Sequence, residues 1–97
     1  MSASPLVSVI LVSWNSAEYL PRCLENLSLQ TFRQFEVILI DNGSTDPGID
    51  EMGQKYPTLD LHLERLESNI GFAGANNLGA GLAQGTWLAL LNTDAFP

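Results

Sequence analysis

The 97 residues are enough for one small domain with a modest core. Eleven acidic against four basic residues give a formal net charge of −7, which argues against a nucleic-acid surface and against a polybasic membrane patch. No apolar run approaches the roughly 20 residues of a membrane helix, and Met1-Ser2-Ala3-Ser4-Pro5 has no signal-peptide character. The single cysteine, Cys23, cannot form an internal disulfide and fits a reducing, cytoplasmic setting.

Val7-Ser8-Val9-Ile10-Leu11-Val12 is nearly continuous apolar, as a strand buried on both faces should be. It ends in Ser13-Trp14-Asn15. Asn15 with Glu18 three residues on has the form of a capping box, and Leu20, Cys23, Leu24 and Leu27 follow at helical spacing. Pro21 falls past the first turn of such a helix, which predicts a kink or a start nearer Leu20. Thr31 to Gln34 is a return loop. Val37-Ile38-Leu39-Ile40 is a second buried strand that stops at Asp41. Asn42-Gly43-Ser44 is turn chemistry, and Asp46-Pro47 is an N-cap acid followed by proline at the first helical position.

Ile49, Met52 and Tyr56 give a short helix one apolar stripe, which Pro57 closes. Leu59 to Leu66 alternates strictly between apolar and polar, so it is a half-exposed strand at the sheet edge. His62 lies on its polar face and is assigned no role. A helix is predicted from about Phe72 to Gln84, although Gly74, Gly79 and Gly81 inside it each cost roughly 0.5–1 kcal/mol against alanine. Close approach to a backbone or a ligand is the usual compensation. Thr86 to Leu91 is the fourth strand, and it reaches Asn92-Thr93-Asp94 just before the sequence ends. The expectation is therefore the front part of a longer protein.

Strands alternating with helices imply an α/β fold: a Rossmann-like parallel sheet of order 3-2-1-4, with right-handed crossovers and helices on both faces. Winding reverses between the first and fourth strands, and ligands bind outside the carboxyl ends at such a point. Three polar clusters collect there: Ser13-Trp14-Asn15, Asp41-Asn42 and Asn92-Thr93-Asp94. Trp14 reads equally as an aromatic face for a flat base or as a cap on the core. Asp41 and Asn42 offer the acceptors and donors that a pyrimidine edge or ribose needs, although alone they would read as an Asx turn. Asp94 with Asn92 suits a hard divalent ion beside a phosphate; alone, an Asp after a strand is more often a turn residue. No Gly-Lys-Ser or Gly-Lys-Thr loop is present, and no dinucleotide fingerprint follows the first strand. The helix start near Asn69-Ile70-Gly71 can still turn its amides to a diphosphate.

Four stretches together carry a resemblance: Val7 to Asn15, Glu36 to Asp46, Asn69 to Gly79, and Leu90-Leu91-Asn92-Thr93-Asp94. The chain resembles the amino-terminal part of a family 2 glycosyltransferase of GT-A fold. Its Asp-Asn-Gly-Ser, Asn-Ile-Gly-Phe-Ala-Gly and Leu-Asn-Thr-Asp forms are most similar to the rhamnosyltransferase-like branch that builds bacterial surface polysaccharides. The resemblance implies that Ser13, Trp14 and Asn15 lie against the nucleotide and that Asp41 contacts base or ribose. It implies that Asn77 and Gly79 line the sugar-diphosphate side, and that Asp94 binds Mg²⁺ or Mn²⁺ as the last acid of the family's Asp-x-Asp motif. The sequence departs from commoner family forms at Asn42, Asn76 and Asn92, where many members have Asp, Arg and Asp.

The resemblance further implies an inverting enzyme that uses a UDP- or dTDP-sugar and a glycan or lipid-linked acceptor. Such an enzyme is cytoplasmic, with membrane association of the full-length protein compatible. The catalytic base is expected beyond Pro97, so the 97 residues alone are expected to be inactive. The competing readings are a nucleotide-binding module without transfer chemistry and an interaction domain. Because the fourth strand would be an uncovered edge, self-association through it is also expected.

Overall fold

A computed structural model describes residues 5–15, 18–45 and 49–92. The elements run β1 (Val7–Ser13), α1 (Leu20–Ser28), β2 (Phe35–Asp41), α2 (Ile49–Lys55), β3 (Leu61–Arg65), α3 (Phe72–Leu82) and β4 (Trp87–Asn92). All pairings are parallel, and the sheet order is β3-β2-β1-β4, as the alternation of strands and helices predicts.

The continuous apolar character of β1 and β2 follows from cover on both faces. Val9, Leu11, Val37 and Leu39 point to one side, where they pack with Leu20, Cys23, Leu24 and Leu27 of α1 and Ile49 and Met52 of α2. Ile10, Val12, Ile38 and Ile40 point to the other, against Ala75 and Leu78 of α3. The two-residue period of a strand divides these sets cleanly. Cys23 is fully buried in the first cluster, and burial pushes its thiol up, which keeps it a protonated packing group.

α1 starts at Leu20, as the position of Pro21 predicts, and not at a cap on Asn15. Tyr19 is the N-cap, no side chain caps the helix, and Pro21 sits in the first turn, where its missing N–H costs nothing. The capping box from Asn15 does not form. Asn15 has a left-handed φ of 49°, which asparagine tolerates. Its side-chain oxygen instead accepts from the Thr45 N–H at 3.0 Å and the Thr45 hydroxyl at 3.3 Å. The predicted α2 cap at Asp46-Pro47 lies outside the described residues.

β3 is shorter than its alternating stretch, with Leu59 buried in the turn before it. α3 ends at Leu82, short of Gln84, because Ala83 turns extended. Its glycines are explained in part by close packing on the sheet: a Cβ at Gly79 would lie 2.6 Å from Ile10 Cγ2. β4 is an uncovered edge, with Trp87, Leu88 and Leu90 exposed. No helix among the described residues is long and apolar enough to cross a membrane.

Candidate functional site

The crossovers place β1 at the centre, so the sheet reverses its winding between β1 and β4. The carboxyl ends of β1 and β2 finish level, with Ser13 paired in register with Asp41. Both side chains are fully buried. Asp41 is in turn level with Arg65 at the end of β3, and the Arg65 Nε donates to Asp41 Oδ2 at 3.1 Å. Asp41 Oδ1 and Ser13 Oγ have no hydrogen-bond partner among the described residues. Leaving such a group unsatisfied costs about 1–3 kcal/mol, so the two atoms at the level ends of β1 and β2 are candidates for contact with a ligand. An anionic acceptor beside a hydroxyl suits a ligand that presents an N–H or O–H edge.

Trp14 follows directly and is 54% exposed. That exposure removes the reading in which it caps the core and leaves an aromatic surface at the crevice mouth. Asn15 ties the loop after β1 to the loop after β2: its N–H donates to Ser44 Oγ at 2.9 Å, alongside the Thr45 bonds above.

Asn42 is buried and holds a second loop pair. Its Nδ2 donates to Asn69 Oδ1 at 3.1 Å and to the Gly71 carbonyl at 3.2 Å, while its Oδ1 accepts from the Ile70 N–H at 2.9 Å. Asn69 Oδ1 also accepts from the Gly71 N–H at 2.7 Å. Asn42 and Asn69 therefore position the segment that leads into α3. The Ile70 and Gly71 amides offered above to a diphosphate are engaged instead by Asn42 and Asn69. Gly43 makes the approach possible: its φ is 80°, and a Cβ there would lie 2.6 Å from Asn69 N and Ser68 C. Gly71, the N-cap of α3, has φ 88°.

The residues of α3 divide. Asn77 is exposed, whereas buried Asn76 donates to the Phe72 carbonyl at 3.1 Å. Gly79 is a correction to the sugar-diphosphate assignment. It faces Ile10 and Ile40 in the sheet core, where only a hydrogen fits, and so serves helix packing. Asn92 ends β4. Thr93 and Asp94, the proposed metal ligand, lie outside the described residues.

Sequence reasoning missed Arg65, whose signal was a cation closing an otherwise alternating strand. It also missed that His62 approaches Asp60 and Glu36. These three form a group able to hold a metal ion, but they sit at the amino-terminal end of the strands. Asp41 lies five positions along β2 from Glu36, about 16 Å, so this group is not part of the crevice.

The fold agrees with what known proteins show. The description "Glycosyl transferase family 2" matches residues 8–97. The chain belongs to this family. A PGL/p-HBAD biosynthesis glycosyltransferase of Mycobacterium tuberculosis is 40% identical over 96 residues, 95% of this chain and 36% of that protein. Among solved structures, residues 1–349 of S. aureus TarS in complex with UDP-GlcNAc align with a TM-score of 0.85 and 29% identity, over 93% of this chain and 27% of that one. The mannosyltransferase PcManGT of Pyrobaculum calidifontis, in complex with GDP-Man and Mn²⁺, aligns with a TM-score of 0.84 and 28% identity, over 98% and 29%. The chain thus spans about a third of the length of the curated relative and less of the two structural neighbours.

Proposed function

We propose that these residues are the donor-binding part of an inverting glycosyltransferase that transfers a sugar from a UDP- or dTDP-sugar to a glycan or lipid-linked acceptor. The observation that carries this reading is the pair of buried atoms, Ser13 Oγ and Asp41 Oδ1, that have no partner among the described residues at the carboxyl ends of β1 and β2. Asp41, oriented by Arg65, accepts an N–H from a pyrimidine or a hydroxyl from ribose. Ser13 completes that edge, and Trp14 presents its ring to the nucleotide. Asn15, Asn42, Asn69 and Gly71 fix the loops around it, and Asn77 borders the sugar-diphosphate side. Asn92 and Asp94 belong to the diphosphate end, with Asp94 as the ligand for Mg²⁺ or Mn²⁺. Such an ion, when bound, neutralises charge on the leaving diphosphate.

The base that deprotonates the acceptor is supplied from beyond Pro97, by an Asp or Glu acting at hydrogen-bond range. The motif forms favour a rhamnosyltransferase-like enzyme of bacterial surface polysaccharide synthesis. It would work in the cytoplasm, with the full-length protein at the membrane. Titration of a Trp87→Phe chain with UDP or dTDP, followed by Trp14 fluorescence, is expected to give a saturable response at millimolar nucleotide that strengthens with Mn²⁺. No response would overturn the reading. In the full-length enzyme Asp94→Ala should abolish transfer with the circular dichroism spectrum unchanged, and surviving activity would remove the metal role.

The isolated 97 residues should also pair through the β4 edge around Trp87 to Leu90, because unpaired strand groups beside exposed apolar side chains template another strand. Sedimentation velocity over a concentration series is expected to show a dimer that Leu90→Lys disperses. A monomer at all concentrations would contradict this.

A further inference from the structure

Glu36 is 1% exposed, although it carries a carboxylate. Its Oε2 accepts from the Ser8 hydroxyl and from the Gln84 N–H, both at 2.6 Å. Its Oε1 is surrounded differently. The His62 ring stands beside it, with Nε2 at 3.6 Å, beyond hydrogen-bond range. The same Nε2 stands 3.1 Å from Asp60 Oδ1. One ligand atom from each of the three residues lies within 4.8 Å of the others. A carboxylate held this far out of water is normally paired with a cation or coordinates a metal. A cavity of about 480 Å³, bordered by Glu36, His62, Glu64 and Gln84, opens beside it.

These separations have a chemical meaning. With zinc–nitrogen and zinc–oxygen bonds of roughly 2.0–2.2 Å, neighbouring ligand atoms of a tetrahedral site are about 3.4 Å apart. The observed 3.1 and 3.6 Å bracket that value. One imidazole with two carboxylates suits Zn²⁺, Co²⁺ or Ni²⁺, whereas Mg²⁺ and Ca²⁺ favour all-oxygen surroundings. We propose that Glu36, Asp60 and His62 form a zinc-class metal site, with water in the remaining position. The site is separate from the donor crevice, about 16 Å away along β2. It ties the edge strand β3 and the residue before it to β2. Through Glu36, it also steadies the turn at Gln84 that leads to β4. The chain has one histidine and one cysteine, and Cys23 is fully buried, so a metal bound through imidazole has a single address.

Calorimetric titration of the 97-residue chain with Zn²⁺, in excess Mg²⁺, should give one equivalent bound and a raised melting temperature. Co²⁺ should give visible absorption of a four-coordinate site and should shift the His62 ring resonances. His62→Ala and Asp60→Asn alter side chains that are more than half exposed, so both variants should fold; each should weaken Zn²⁺ binding at least tenfold and abolish the thermal shift. Asp41→Asn should leave Zn²⁺ uptake unchanged, which keeps this test independent of the donor-site reading. No uptake at millimolar Zn²⁺, or uptake that survives His62→Ala, would overturn the proposal and leave the group as an ion-paired histidine.

Discussion

β1 and β2 set a serine level with a carboxylate twice, Ser8 with Glu36 and Ser13 with Asp41, and the two pairs end differently. At the amino-terminal end the longer Glu36 side chain reaches Ser8 at 2.6 Å and takes the Gln84 N–H as well. Ser8 Oγ in turn accepts from the Gly85 N–H at 2.8 Å. That network anchors the turn into β4. At the carboxyl end Asp41 is shorter by one methylene and is drawn to Arg65, which leaves Ser13 Oγ and Asp41 Oδ1 without partners among the described residues. Burial is the same in both places. Satisfaction of the polar atoms is what separates a structural network from a binding edge.

The comparison is sharpened most by Glu36→Ala. It strands two donors, the buried Ser8 hydroxyl and the partly buried Gln84 N–H, and should cost about 2 kcal/mol or more by urea unfolding, with Glu36→Gln milder because an acceptor remains. Unchanged stability would break the contrast. Gly43→Ala comes next. It combines a left-handed φ with a clash against the backbone at 68–69 and should cost about 2 kcal/mol. A neutral result would mean that the Asn42–Asn69 lock does not depend on that close approach.

Asp41→Asn should have the smallest effect on the fold, within about 1 kcal/mol, because the shape is kept and the Arg65 partner is partly solvated. It should weaken nucleotide binding about tenfold, the scale of one charge-assisted hydrogen bond. A collapse of stability with binding intact would move Asp41 into the structural class beside Glu36.

Much of this was legible in the residues. The unbroken apolar runs of β1 and β2 gave central strands covered on both sides, and the alternation of β3 placed it at an edge. The polar stops at Ser13 and Asp41 marked the strand ends that face the crevice. What escaped depends on register and distance rather than on local pattern. Arg65 becomes the partner of Asp41 only because β3 aligns it there. Asn42 is committed to a loop 27 residues away. Asn15 matches a capping box locally, yet its oxygen is taken by Thr45, 30 residues on. Gly79 looks like a ligand glycine in a glycine-rich helix, and only its position over Ile10 shows that packing requires it.

The central claim, that unpartnered polar atoms at the carboxyl end receive the nucleotide while the satisfied network at the amino end does not, is tested most directly by amide shift mapping. The ¹⁵N-labelled chain would be titrated with UDP and Mn²⁺-free Mg²⁺, and shift changes assigned by residue. The account predicts the largest changes at Ser13, Trp14, Asn15 and Asp41, their loss in Asp41→Asn, and none at Ser8, Glu36, Gln84 or Gly85. Changes centred on the Ser8–Glu36 network, or changes at Ser13 and Trp14 that Asp41→Asn leaves untouched, would contradict it.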